Sequence, residues 1–214
     1  MNKLTILIDM DDTIENLCEA WVNFLNKRHN TNTSLDDIVE WDITKAFPTL
    51  TKEQVYAPLL EQELWESIKP LPYAVETLKK LIDEGHKIHI VTATHPQNIS
   101  FKMANIIEKY FPFIDYNDII ITSKKQLIKG DVLIDDAPHN LIDGEYYSIL
   151  MTAPHNKRYN ASKNGMIRVN DWNEVYSVIN LLTNAKNIDE EAFEIAKAMR
   201  KEHFKKLQNA RSSI

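Results

Sequence analysis

The sequence of 214 residues has little of what membrane, secreted and nucleic-acid-binding proteins need. Its single cysteine, Cys18, excludes a disulfide within the chain and indicates a reducing cytoplasm as the compartment. No apolar run approaches the roughly 20 residues of a membrane helix, and aspartates interrupt the apolar start before a signal peptide would be complete. The formal net charge of −6 disfavours nucleic-acid polymers and anionic membranes as partners.

What is present is the composition of a globular protein, with 43% hydrophobic and 26% charged residues. Short apolar runs alternate with segments of helical spacing, which predicts an α/β fold with a mostly parallel sheet sandwiched by helices. The predicted strands are 4–8, 87–91, 118–122, 131–134, 147–151 and 166–169. The main predicted helices outside the early block are 73–84, 98–110, 171–182 and 188–208.

A block of helical spacing interrupts this alternation after the first strand. Residues 15–72 contain a capping box at Thr51 and Gln54 and end at Pro70-Leu71-Pro72. The pattern predicts a small helical cap inserted into a catalytic core formed by residues 1–14 and 73–184. Residues 183–187 read as a polar linker, and 185–214 as a C-terminal helical extension. Acidic residues alternate with the basic ones of that extension, which favours a solvated helix face over a nucleic-acid patch.

Polar side chains follow four of the predicted strands, where ligands bind in open parallel sheets. Carboxylate oxygens suit Mg²⁺, and a lysine and a hydroxyl can hold phosphate oxygens. Clustered carboxylates also need a cation or shifted pKa values to coexist. The sequence therefore predicts a magnesium and phosphate site. Its members are Asp9, Asp11, Thr92, Lys125, Asp135 and Asp136, with Lys124 and Lys129 as rivals for the lysine.

The motifs around these residues resemble those of haloacid dehalogenase-like phosphatases. Residues 6–13, Ile-Leu-Ile-Asp-Met-Asp-Asp-Thr, match the DxDx(T/V) signature, and 88–92, Lys125 and 132–136 look like the second, third and fourth motifs. From about residue 4 to 182 the chain is similar to the 5'(3')-deoxyribonucleotidase family, notably at Pro70-Leu71-Pro72, Pro154-His155-Asn156 and Asp171-Trp172. The resemblance implies a Rossmann-like core, a small-molecule nucleotide substrate and Mg²⁺ as cofactor, and it leaves a homodimer open.

The resemblance also implies a role for each site residue. Asp9 would be the nucleophile, forming an aspartyl-phosphate, and Asp11 the general acid and base, with its backbone carbonyl on the metal. Family practice favours Asp135 over Asp136 as the direct metal ligand, and the sequence leaves that choice open. The phosphate would contact Thr92, Ala93 and Lys125.

Two departures from the family pattern bear on the choice of substrate. Asp12 stands where relatives often have Gly, which adds an acid near an anionic substrate. Ala93 stands where close relatives carry Ser, which removes one hydroxyl contact to phosphate.

Aromatic residues of the predicted cap are candidates for a nucleobase pocket, because an aromatic face stacks on a base. Leu17, Trp21 and Trp65 are the favoured members, although aromatics at helical spacing more often belong to a core. The wider set adds Trp41, Phe47, Tyr56 and Leu64. The seven histidines show no metal-ligand spacing, so no zinc site is expected.

Other functions stay open on the sequence. The first alternative is a phosphatase for another small metabolite, such as a sugar phosphate. A phosphoacceptor signalling receiver also uses aspartates, a threonine and a lysine on a parallel sheet, but it needs no cap and places its acid pair differently. A binding-only relative is disfavoured because every core motif is intact.

Overall fold

One six-stranded sheet organises the chain. A computed structural model describes residues 3–211, with side chains to residue 200. All neighbouring strands are parallel, in the order β3-β2-β1-β4-β5-β6, which is the Rossmann order. The α/β prediction is confirmed. The strands are β1 Thr5–Ile8, β2 Lys87–Thr92, β3 Ile119–Ile121, β4 Val132–Asp135, β5 Tyr147–Met151 and β6 Ile167–Val169.

The two central strands bring the site residues together. The strand order reverses between β1 and β4, and Ile8 lies beside Ile134 in the parallel register. Ile6, Leu7 and Ile8 are fully buried, as expected for a strand covered on both faces. The acids that follow β1 and end β4 therefore emerge side by side at the sheet edge where ligands bind.

Helices cover the sheet and form most of the segment between β1 and α4. The ends of that segment are tied together, because Asn16 N–H donates to the Lys69 carbonyl and Lys69 N–H to the Asn16 side chain. Short 3-10 turns complete the connections, and residues 103–107 form a π-helical turn. The helices are α1 Leu17–His29, α2 Lys52–Tyr56, α3 Gln62–Ser67, α4 Ala74–Asp83, α5 Ile99–Lys102, α6 Glu108–Tyr110, α7 Trp172–Ile188 and α8 Glu190–Arg211.

The predicted linker at 183–187 is wrong, because these residues continue α7. No glycine or proline interrupts them, Asn184 and Asn187 are exposed, and the Lys186 ammonium reaches Asp131 from this turn of the helix. The break comes instead at Asp189, whose carboxylate accepts a hydrogen bond from Ala192 N–H at the start of α8. Within the described residues, no helix is both long and apolar enough to cross a membrane.

Candidate active site

Three buried carboxylates meet at the carboxyl edge of β1 and β4. One oxygen from each of Asp9, Asp135 and Asp136 lies within 4.8 Å of the others. The three residues are 6%, 0% and 1% exposed, so water screens their charges poorly. The pKa of Asp9 is raised to about 7, chiefly by burial, which Lys125 opposes and the neighbouring Asp135 and Asp11 reinforce. The cluster therefore favours a bound cation.

Lys125 bridges two of these carboxylates. Its Nζ lies 2.5 Å from Asp9 Oδ1 and 2.6 Å from Asp135 Oδ2. Burial lowers the pKa of Lys125, but the two carboxylates raise it more, so the ammonium form is stabilised. The rival lysines, Lys124 and Lys129, are exposed. The geometry thus places Lys125 in the cluster.

Asp135, which ends β4, and Asp136, which follows it, differ in how many hydrogen bonds their carboxylate oxygens accept. Asp135 accepts hydrogen bonds from Lys125 Nζ, from Ala137 N–H at 2.8 Å and from Asn140 Nδ2 at 3.2 Å. Asp136 Oδ1 is buried and has no hydrogen-bond partner among the described residues. Burial and the neighbouring Asp135 raise the pKa of Asp136. Asp136 is therefore the one with a free buried oxygen to offer a metal.

Lys102 belongs to the site, although no motif in the sequence indicated it. Its Nζ lies 2.7 Å from Asp11 Oδ2 and 3.0 Å from Thr92 Oγ1, and the residue is 1% exposed. One signal could have revealed it. Lys102 occupies the middle of the buried row Asn98, Lys102, Ile106, where an apolar residue would be expected.

Further acids lie beside Asp11. Asp12 adopts a left-handed backbone with φ of 53°, and its Oδ1 accepts a hydrogen bond from Cys18 N–H at 2.9 Å, in the first turn of α1. Burial raises the pKa of Asp12 to about 7. Glu15 is fully buried, and burial with the nearby Asp11 raises its pKa. Ala93, which follows Thr92, is exposed and offers no hydroxyl.

A cavity of about 210 Å³ opens from the acids toward the inserted segment. Leu17 and Trp21, two of the three favoured candidates for a nucleobase pocket, line it. Trp65 does not: it is 1% exposed, and its indole N–H donates to the Leu59 carbonyl. The full lining comprises Asp11, Asp12, Leu17, Cys18, Trp21, Ile38, Trp41, Ile43, Tyr56, Leu59, Asp136 and His155.

Trp41, a member of the wider set of predicted pocket residues, lines the cavity where Trp65 does not. It is 59% exposed, lines the cavity and packs edge-on against His139 and His155, with ring centroids 5.1 and 4.9 Å away. Trp41 lies outside any helix, on a segment without apolar periodicity, so the sequence pattern gave it no special weight.

Comparison with known proteins places the chain in a family. Residues 2–188 match the family described as "5' nucleotidase, deoxy (Pyrimidine), cytosolic type C protein". The chain is 34% identical over 174 residues to the 5'(3')-deoxyribonucleotidase of Bacillus subtilis, covering 81% of this chain and 96% of that protein. It is 36% identical over 174 residues to the 5'(3')-deoxyribonucleotidase of Clostridium acetobutylicum, covering 81% of this chain and 93% of that protein.

Solved structures support the same fold. A haloacid dehalogenase-like hydrolase of Streptococcus pneumoniae superposes with a TM-score of 0.58 at 12% identity, covering 82% of this chain and 98% of that chain. A haloacid dehalogenase-like hydrolase of Bacillus subtilis bound to magnesium gives a TM-score of 0.54 at 16% identity, covering 84% of this chain and 100% of that chain. The sequence matches show that the chain belongs to the cytosolic type C 5'-nucleotidase family and is a phosphoric monoester hydrolase, and the solved structures show that it has the fold of haloacid dehalogenase-like hydrolases.

Proposed function

We propose that the protein removes phosphate from deoxyribonucleoside monophosphates in a Mg²⁺-dependent reaction that passes through an aspartyl-phosphate on Asp9. The observation that carries this proposal is the buried carboxylate cluster, whose member Asp136 lines a largely apolar, aromatic cavity together with Asp11. The cluster suits a phosphate with its cation, and the cavity suits a nucleobase.

The donor set of the cluster fits Mg²⁺. All of its candidate ligands are hard oxygens, and three carboxylates face the single ammonium of Lys125, so a divalent cation would balance the excess negative charge. The buried, unpartnered Oδ1 of Asp136 favours that residue over Asp135 as a direct ligand, with Asp9 as the second. When bound, Mg²⁺ would neutralise charge on the phosphate and so allow a carboxylate to approach it.

The side chains of the site can carry out both steps of the reaction, which are phosphoryl transfer to Asp9 and hydrolysis of the aspartyl-phosphate. Lys125 holds Oδ1 of Asp9, which leaves the other carboxylate oxygen to attack phosphorus as the bond to the ester oxygen breaks. Asp11 would give a proton to the leaving ester oxygen and then take one from the water that attacks the aspartyl-phosphate. Lys125, Lys102 and Thr92 would stabilise negative charge on the transferring group.

The cavity supports a nucleotide over a sugar phosphate. Its volume of about 210 Å³ lies below the roughly 300–1,000 Å³ of a drug-sized site, which suits a single base. Its walls above the acids are mainly Leu17, Ile38, Trp41 and Ile43, and such walls offer few partners to a polyhydroxylated sugar. A 2'-hydroxyl buried against them would lose about 1–3 kcal/mol, which favours deoxyribose.

A panel of phosphate monoesters tests the proposal directly. Phosphate release is measured with dUMP, dTMP, UMP, a hexose phosphate and p-nitrophenyl phosphate, each with Mg²⁺ and with EDTA. We expect the deoxyribonucleotides to give the highest kcat/KM, by about tenfold or more over UMP, and EDTA to abolish turnover. A higher kcat/KM for the hexose phosphate would overturn the substrate assignment, and full activity in EDTA would overturn the metal requirement.

A further inference from the structure

The loop after β5 lies against the backbone of Asp136. Residues 152–166 connect β5 to β6 and contain the 3-10 turn Pro154–Asn156. Asn156 is 2% exposed, and its Nδ2 donates to the Asp136 carbonyl at 2.6 Å and to the Met151 carbonyl at 2.7 Å. One amide therefore joins the end of β5 to the residue that follows β4.

The same amide is satisfied on its oxygen side by Arg168 of β6. Asn156 Oδ1 accepts hydrogen bonds from Arg168 Nη1 at 2.9 Å and from Ala153 N–H at 3.3 Å. A guanidinium can only donate and the two carbonyls can only accept, so the amide has a single favourable orientation. With two donors and two acceptors all engaged, Asn156 has no other arrangement of equal energy.

Arg168 donates its other hydrogen bonds to the same loop. It donates to Thr152 Oγ1 at 3.0 Å, to the Asn156 carbonyl at 3.0 Å and to the Tyr159 carbonyl at 2.8 Å. Burial lowers the pKa of this guanidinium. Among the described residues its hydrogen bonds all go to neutral acceptors, and none goes to a carboxylate. A partly buried cation thus serves to fix a loop.

The same loop places His155 beside Asp136. His155 Nε2 lies 3.2 Å from both the carbonyl and Oδ2 of Asp136, and Trp41 packs on its ring. Asn156 thus contacts the backbone carbonyl of Asp136, and His155 contacts both that carbonyl and the carboxylate. The carboxylate oxygen left over is the buried, unpartnered Oδ1.

We infer that Arg168 is a positioning residue, which acts through Asn156 to hold the Asp136 carboxylate in the orientation that binds the metal. The inference rests on the proposed function, because it takes Asp136 to be a metal ligand. Outer residues that orient metal ligands typically change affinity by about 10- to 100-fold when they are replaced.

Magnesium affinity in the absence of substrate is the readout that a merely structural role would leave unchanged. The dissociation constant is measured by calorimetry for wild type, Arg168→Met, Asn156→Ala and the double variant. We expect each single variant to bind Mg²⁺ at least tenfold more weakly, and the double variant to be no weaker than Asn156→Ala, because both changes remove one pathway. Arg168→Lys, which keeps the charge but cannot span the same acceptors, serves if Arg168→Met fails to fold.

Asn164→Ala is the matched control, since Asn164 is a buried asparagine of the same loop whose Nδ2 donates to the Asn160 carbonyl. Its Mg²⁺ affinity should stay within twofold of wild type even if its melting temperature falls. Wild-type affinity in Asn156→Ala or in the folded Arg168 variant, or additive losses in the double variant, would overturn the inference. Failure of the proposed function looks different, because wild type would then bind Mg²⁺ without hydrolysing deoxyribonucleotides.

Discussion

The Nζ of Lys102 lies 2.7 Å from Oδ2 of Asp11, and the pair joins the end of α5 to the loop after β1. Side-chain exposure is 2% for the lysine and 25% for the aspartate, so the ammonium is shielded from water while Asp11 faces the cavity. Such a charge-assisted hydrogen bond restricts the rotamer of the Asp11 carboxylate. Lys102 is therefore placed to control the group that we propose as general acid and base.

Replacing Lys102 with methionine should slow turnover of dUMP by about 100-fold or more, in line with the loss of one charged donor at a reacting centre. The loss should be smaller with p-nitrophenyl phosphate, whose leaving group needs little protonation by Asp11. Steady-state kcat on both substrates is the measurement. Lys69→Met is the control, because Lys69 donates to the Tyr110 hydroxyl away from the acids. A kcat for dUMP within threefold of wild type would exclude a role for Lys102 in catalysis.

Replacing Asp9 with asparagine should abolish turnover, because an amide of the same shape is not a nucleophile. The fold should persist, since burial already makes the ionised carboxylate unfavourable there. Acid-quenched wild type should carry one phosphoryl group on the peptide that contains Asp9, and the variant none. The control is Asp83→Asn, which removes an exposed acid paired with Lys79. Activity of Asp9→Asn within tenfold of wild type would contradict the covalent mechanism.

Local patterns predicted the acids of the cluster because their positions depend on short stretches of chain. A buried run of three apolar residues precedes Asp9 and another precedes Asp135, and each run ends at or within one residue of the end of its strand. The parallel register then brings them together without further information. Lys125 followed in the same way from its place after β3.

The residues that sequence reasoning missed depend on tertiary packing. Lys102 reaches Asp11 across 91 positions of sequence, and its ammonium also lies near Thr92 and Trp65, which come from other elements. Trp41 and Trp65 belong to the same predicted cap, and only the packing of its short helices decides which indole faces the cavity. The linker at 183–187 was wrong because polar composition does not distinguish a loop from the solvated face of a helix.

Replacing Trp41 with alanine should raise KM for dUMP by about tenfold, consistent with the roughly 1–3 kcal/mol of a base stacked on an aromatic ring. It should leave KM for a hexose phosphate unchanged, since that substrate has no aromatic ring to stack on Trp41. The comparison is Trp65→Ala, which should act mainly on stability, at about 3–5 kcal/mol, because Trp65 is buried. Equal KM changes for both substrates in Trp41→Ala would exclude a role in base binding.

Asp131 connects β1 to the two C-terminal helices. Its Oδ2 accepts a hydrogen bond from Thr5 N–H at 2.8 Å, and its Oδ1 lies 2.9 Å from Lys197 Nζ and 3.2 Å from Lys186 Nζ. Burial raises the pKa of Asp131, but the Thr5 N–H and Lys197 lower it more, so the net pKa is below its ordinary value. The folded state therefore prefers the ionised carboxylate.

The contribution of Asp131 to the free energy of unfolding should consequently decrease as pH falls. A carboxyl with a lowered pKa stabilises the fold above its unfolded pKa of about 3.9 and loses that contribution as pH falls through the folded pKa. Asp131→Asn should thus destabilise the protein by about 1–3 kcal/mol at pH 7, and the difference from wild type should shrink below about pH 4. Urea unfolding at pH 7 and at pH 3.5 measures the difference in free energy of unfolding between wild type and Asp131→Asn. Asp83→Asn, which changes an exposed aspartate, is the control. A deficit of the same size at pH 7 and pH 3.5 would mean that shape, and not the charge of Asp131, joins α7 and α8 to the sheet.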